Sequence, residues 1–124
     1  MQRILIIDDD SVTAAIYRAL LEKRGYLVEV SSNGASGFQR VIESRPDGLL
    51  LDLMLPDNNG LQLLKSLRDL GYLDNVPVIV YTNAYVPQMV QPAHEAGATC
   101  VLDKSILTPL RLLEAFRDSL PVTA

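Results

Sequence analysis

Five polar side chains in this sequence have the types and the placing to do chemistry together. Asp8 and Asp9 follow the apolar run "RILII" (3–7), and Asp52 follows "GLLL" (48–51). Thr82 ends "VIVYT" (78–82), and Lys104 comes directly after "CVLD" (100–103). Each sits where an apolar run gives out. Carboxylates gathered in one place repel one another unless a cation lies among them. A hard cation that takes oxygen ligands in an octahedron, Mg²⁺, is the natural guest. An ammonium and a hydroxyl beside it suit an anion with several oxygens, such as a phosphoryl group. Taken singly, each residue has a plainer use. Asp10 or Ser11 could cap a helix, Thr82 could close a strand, and Lys104 could be a surface lysine. A cap explains one acid of "DDD" and leaves the others unexplained.

The five can cooperate only if the fold brings them to one edge. Short β-branched or leucine-rich runs predict strands at 3–7, 27–31, from Gly48 to Asp52, 76–82 and 99–103. Between them lie helical patterns. The first, "SVTAAIYRALLEKRGY", repeats Val12, Ala15, Ile16, Ala19, Leu20 and Arg24 at helical spacing and ends at Gly25. The second must stop near Arg45, because Pro46 disfavours helical geometry in the residue before it. The third sets Leu61, Leu64, Leu67 and Leu70 on one side. The fourth, "AYVPQMVQPAHEAG", tolerates Pro87 in a first turn, but Pro92 removes a hydrogen bond and makes it kinked, short or partly unwound. The last begins with Pro109 in its first turn. Strict alternation of strands and helices gives an α/β fold, a doubly wound five-stranded parallel sheet with five helices over its two faces. In such sheets sites form beyond the carboxyl ends of the strands. Those ends carry the five residues.

Composition narrows the function further. A chain of 124 residues is one domain with one core. No stretch approaches the ~20 apolar residues of a membrane span, and the acidic start is no signal peptide. Cys100 stands alone, so there is no internal disulfide and a reducing cytoplasm is expected. It reads as a small buried apolar residue. The net charge of −4, with no basic stripe, argues against direct nucleic-acid binding. His94, the only histidine, reads as an exposed polar residue. The closing "PVTA" is either a chain end or the start of a linker.

The acid pair of "LIIDDD", the segment "LLLDLMLPDNNG", the strand end "VYT", "EAGA" and the lysine of "VLDK" together resemble the response-regulator receiver domain of two-component signalling. The resemblance runs from residue 3 to about 120, so residues 1–124 form a single receiver domain of flavodoxin-like fold. It implies that Asp52 accepts a phosphoryl group from a phosphohistidine on a sensor histidine kinase or phosphotransfer protein. It implies that Asp9, Asp52 and the backbone carbonyl of Met54 bind Mg²⁺ directly, with Asp8 reaching the metal through water. Thr82 would hydrogen-bond the phosphoryl oxygens and Lys104 would pair with them. The domain would be a switch that catalyses its own phosphorylation and dephosphorylation, not an enzyme with a separate substrate. Its output would pass to a downstream protein target or a fused output domain, with a homodimer left open.

The sequence departs from that family in places. Ser105 follows Lys104 where the family has proline after a cis bond. A cis bond without proline costs ~2.5–4 kcal/mol, so a trans peptide and a rearranged loop are expected. Val101 stands where the family often has an aromatic ring, and Tyr81 and Tyr85 flank Thr82 without a derived role. Three alternatives remain. "LIIDDDSV" also resembles the first motif of haloacid-dehalogenase-type phosphatases, with Asp8 as nucleophile and Asp10 as acid and base. That reading needs a further acidic cluster after Lys104 and gives Asp52 no part. A pseudo-receiver that only binds partners would not need all five residues. A nucleotide binder would want a Gly- or Ser/Thr-rich loop after the first strand.

Overall fold

The computed structural model describes residues 1–121; residues 122–124, most of the "PVTA" tail, lie outside the described residues. The chain runs β1 (Arg3–Ile7), α1 (Ser11–Lys23), β2 (Leu27–Ser31), α2 (Gly34–Ser44), β3 (Gly48–Asp52) and α3 (Gly60–Asp69). It continues through β4 (Val78–Thr82), a 3-10 turn (Pro87–Met89), α4 (Val90–Glu95), β5 (Cys100–Asp103) and α5 (Pro109–Ser119). The strands pair in parallel in the order β2-β1-β3-β4-β5. This is the doubly wound sheet that alternation predicts. The order reverses between β1 and β3, so the crevice opens beside the ends that carry Asp8 and Asp52.

Alternate strand residues feed two cores. Ile4, Ile6, Leu50, Ile79 and Tyr81 pack with Tyr17 and Leu21 of α1 and Phe116 of α5. Leu5, Ile7, Leu49, Leu51, Val78 and Val80 pack with Val41 of α2, Leu64 and Leu67 of α3 and Ala93 of α4. β3 and β4 are buried along their whole length. Each leucine so enclosed contributes about 1.5–3 kcal/mol.

Two helical faces differ from expectation. In α1 the buried residues are Ala14, Tyr17 and Leu21, while Val12 and Ile16 are 68% and 53% exposed. The helix carries two apolar stripes, and the one with the larger side chains is turned inward. In α3 the buried set is Leu63, Leu64 and Leu67, and Leu70, the C-cap residue, is exposed. Pro92 is accommodated because the α-helix proper starts at Val90, which puts the proline in its first turn. The resulting six-residue helix is short. An open groove of about 690 Å³ lies beside it, lined by Met54, Pro56, Leu61, Met89 and Pro92 among others.

One half-buried cation ties the loops on the side of the sheet away from the crevice. The Arg68 guanidinium donates from Nη2 to the carbonyls of Val76 (2.9 Å) and Gly97 (2.7 Å), and from Nη1 to that of Leu73. Gly97 has φ +113°, and a Cβ there would collide with the Arg68 side chain. Arg68→Met should therefore leave the Val76 and Gly97 carbonyls without a donor, while the Leu73 carbonyl keeps the Val76 amide at 3.0 Å. A loss of about 2–3 kcal/mol is expected in urea unfolding. A change within about 0.5 kcal/mol would show that water replaces the guanidinium freely.

Candidate functional site

β1 ends in Ile7, and the next amide still extends the ladder, Asp8 N donating to the Ser31 carbonyl at 3.0 Å. This fixes Asp8 at the rim, with only 1% of its surface exposed. Its Oδ1 accepts from the Asp10 amide at 2.9 Å. Its Oδ2 accepts from Lys104 Nζ at 2.8 Å and from the Tyr81 hydroxyl. Asp9 is exposed. Asp10 is the N-cap of α1, its side chain accepting from the Val12 and Thr13 amides and the Thr13 hydroxyl. The Thr13 bonds hold its carboxyl below the ordinary range. So one acid of "DDD" caps and two face the crevice.

Asp52 closes β3 and is 5% exposed. Its Oδ1 accepts from the Met54 amide at 2.9 Å and its Oδ2 from Lys104 Nζ at 3.1 Å. Burial pushes its carboxyl above the ordinary value, against the pull of the Met54 amide and of Lys104. The loop after it is sharply constrained. The Gly60 amide returns to the Leu53 carbonyl at 3.1 Å, and a Cβ on Gly60 would lie 2.7 Å from the Asp52 carbonyl oxygen. Only glycine allows that approach. Asp57, at the tip, accepts from the Gly34 and Ala35 amides at 2.7 and 3.0 Å, which fastens the loop to the start of α2. Those two bonds, Gly34 first, lower its carboxyl.

Lys104 lies beyond β5 with its side chain 6% exposed and bridges Asp8 and Asp52. Burial disfavours its charge, but the Asp8 bond and the Asp52 charge outweigh burial and hold its ammonium above the ordinary value. No peptide among the described residues is cis. Ser105 instead donates its amide and hydroxyl to Asp103 Oδ1, at 3.0 and 2.6 Å. The trans bond before Ser105 therefore does not keep the lysine out of the site. Thr82, fully buried at the end of β4, accepts the Ala84 amide on Oγ1 at 3.1 Å. Its carbonyl accepts the Lys104 amide at 3.0 Å.

One oxygen each from Asp8, Asp9 and Asp52 lies within 4.8 Å of the others. Three hard carboxylate oxygens at that spacing fit a divalent cation of the Mg²⁺ kind. The family model for the response regulator receiver domain matches residues 4–117. The chain belongs to that family.

The receiver domain has relatives of several kinds. It is 38% identical over 80 residues to response regulator MprA of Mycobacterium ulcerans, covering 64% of this chain and 34% of that one. It thus spans about a third of the length of the curated relatives it matches. Chemotaxis response regulator CheY4 of Vibrio cholerae superposes with a TM-score of 0.89 at 25% identity, covering 97% of this chain and 99% of that one. A Burkholderia pseudomallei response regulator, solved with a phosphorylated aspartic acid, a calcium ion and citrate, gives a TM-score of 0.85 at 26% identity. There 93% of this chain and 66% of that one are covered. This is a receiver domain of a response regulator in a two-component system, and the haloacid-dehalogenase alternative falls away. No helix among the described residues is long and apolar enough to cross a membrane.

The receiver site also contains a residue that sequence reasoning left without a role. Tyr81 is fully buried, and its hydroxyl donates to Asp8. Burial, then the Asp8 bond, pushes that hydroxyl far above its ordinary value, so it stays a donor. Its signal was a lone hydroxyl in the otherwise aliphatic strand before Thr82, which needs a partner when buried. His94 is exposed, with Nδ1 2.8 Å from the Ala98 carbonyl, and Cys100 is half-buried.

Proposed function

We propose that Asp52 is the phosphoacceptor of a Mg²⁺-dependent switch whose donor is a phosphohistidine on a kinase or phosphotransfer protein. The meeting of the Asp8, Asp9 and Asp52 carboxylates under one lysine carries this reading. An Asp52 oxygen forms a bond to phosphorus as the donor's P–N bond breaks and its electron pair returns to the imidazole. Asp9, Asp52 and the Met54 carbonyl, with Asp8 through water, would hold the cation, which when bound would neutralise the negative charge that otherwise repels the donor. The Met54 amide holds Asp52 Oδ1 in place, which leaves Oδ2 as the attacking oxygen once Lys104 moves from it to the phosphoryl group. Thr82 spends a lone pair on Ala84 and keeps its O–H free to donate to a phosphoryl oxygen. The likeness to a regulator that carries a phosphorylated aspartic acid supports the same chemistry here. Loss of the group to water, catalysed by the same residues, returns the switch to rest. Exposed apolar side chains, Val12 and Ile16 of α1 and Ile106 two residues past Lys104, offer a donor protein surface to pack against. The signal then passes to a downstream protein or a fused output domain.

Acetyl phosphate with Mg²⁺ should add one phosphoryl group, seen by intact mass after acid quench, and none when the cation is chelated. Peptide mapping should place it on Asp52. Label on Asp8 instead would support phosphatase-type chemistry and sink the proposal.

A further inference from the structure

We infer that Tyr81 is a positioning residue of the cation site, holding the Asp8 carboxylate in the orientation that the cation's water shell needs. This rests on the reading of Asp8, Asp9 and Asp52 as that site. Tyr81 stands in register with Asp52 on β4, whereas Asp8 follows β1, two strands away. The side chain therefore has to cross the end of β3 to reach Asp8, a span beyond an aliphatic residue. The ring is fully buried and packs edge-on to Tyr17, with ring centroids 5.9 Å apart. Lys104 Nζ lies 4.7 Å from its centroid, so the ring also backs the ammonium.

Asp8 Oδ2 accepts from two donors, Lys104 and Tyr81, while the Asp10 amide serves Oδ1. Lys104 is the donor that the proposed chemistry takes away, since it must turn to the phosphoryl group. Tyr81 has no such second task. With Lys104 gone, the hydroxyl and the Asp10 amide still hold both oxygens of Asp8, and the carboxylate cannot swing. Groups that orient a ligand in this way commonly set metal affinity by one to two orders of magnitude. Tyr81→Phe removes only the oxygen. It keeps the volume, the edge contact with Tyr17 and the face offered to Lys104.

The test is Mn²⁺ binding as a probe of the divalent site, read from the EPR signal of the free ion, on the parent chain, Tyr81→Phe and Asp9→Ala. The expected result is roughly a tenfold weaker Kd in Tyr81→Phe, with loss of binding in Asp9→Ala. An unchanged Kd in a folded Tyr81→Phe makes Tyr81 a packing residue and overturns the inference alone. A tighter Kd shows the hydroxyl competing with the ion and overturns it too. No Mn²⁺ binding by the parent chain overturns both the inference and the cation reading beneath it. Should Tyr81→Phe fail to fold, the ¹³C-ζ resonance of Tyr81 in the labelled parent chain, titrated with Mg²⁺, decides. Movement that saturates with the ion supports the role, and a fixed resonance overturns it.

Discussion

Asp52→Asn is expected to take up no phosphoryl group from acetyl phosphate and, without divalent cation, to be more stable than the parent chain. The first half follows from the proposed role of Asp52 as nucleophile. An amide has no anionic oxygen to attack phosphorus, and Asp8 is enclosed by its three donors. The second half follows from burial. The crevice holds three carboxylates against one ammonium. Burial raises the Asp52 carboxyl above its ordinary value of 3.8, so the folded state prefers it protonated. The stability that preference confers is whole below 3.8 and is lost as pH rises through the folded value. Asparagine never ionises and escapes the loss. A gain of about 1 kcal/mol or more at neutral pH is expected, the scale seen when buried ions give way to neutral groups. The gain should vanish as pH falls below the ordinary carboxylate range. Urea unfolding at several pH values measures it. A variant no more stable at neutral pH would mean that Lys104 already neutralises Asp52 in full.

The edge of the sheet was legible because of how parallel strands are built. Buried on both faces, they read as unbroken apolar runs, and the residue where each run stops stands out. Asp8, Asp52, Thr82 and Lys104 were found in that way, and the doubly wound parallel sheet needed only alternation and handedness. The inward face of α1 was not legible. Its two apolar stripes satisfy the same periodicity, and only packing against β1 and α5 chooses the one with Tyr17 and Leu21. The reach of Lys104 was obscured for another reason. Local rules tie it to the peptide before Ser105, whereas the pull on it comes from Asp8 and Asp52, far away in the chain. Tyr81 was hidden by distance as well, its partner being 73 residues off, just past a strand that does not pair with its own. Asp57 reads as an ordinary turn residue, yet it fastens the loop after Asp52 to α2. Long-range hydrogen bonds leave no period in a sequence.

Lys104→Met should produce the largest stability change at this site, together with an enlarged response to Mg²⁺. The ammonium is the cation bridging Asp8 and Asp52, and all three groups are buried. Breaking a closed buried pair by removing one partner costs ~3–5 kcal/mol. Here Asp9 is exposed and opens the cluster to water on one side. That screening reduces the expected loss to about 2–4 kcal/mol in the absence of divalent cation. In the parent chain Lys104 competes with a cation for the same negative charge. Without it the carboxylates attract the cation more strongly, so Mg²⁺ should raise Tm further in the variant than in the parent. Saturation at a hundred times Kd stabilises by about 2.7 kcal/mol, comparable with the loss itself. Adding Asp9→Ala to Lys104→Met should remove the extra response, because it takes away a carboxylate of the proposed cation site. Thermal melts of the three chains with and without Mg²⁺ separate the possibilities. If Lys104→Met loses less than about 1 kcal/mol and gains no additional Mg²⁺ response, water neutralises the acids and the lysine does not. The bridge would then be a contact of the resting fold with no part in balancing charge at the site.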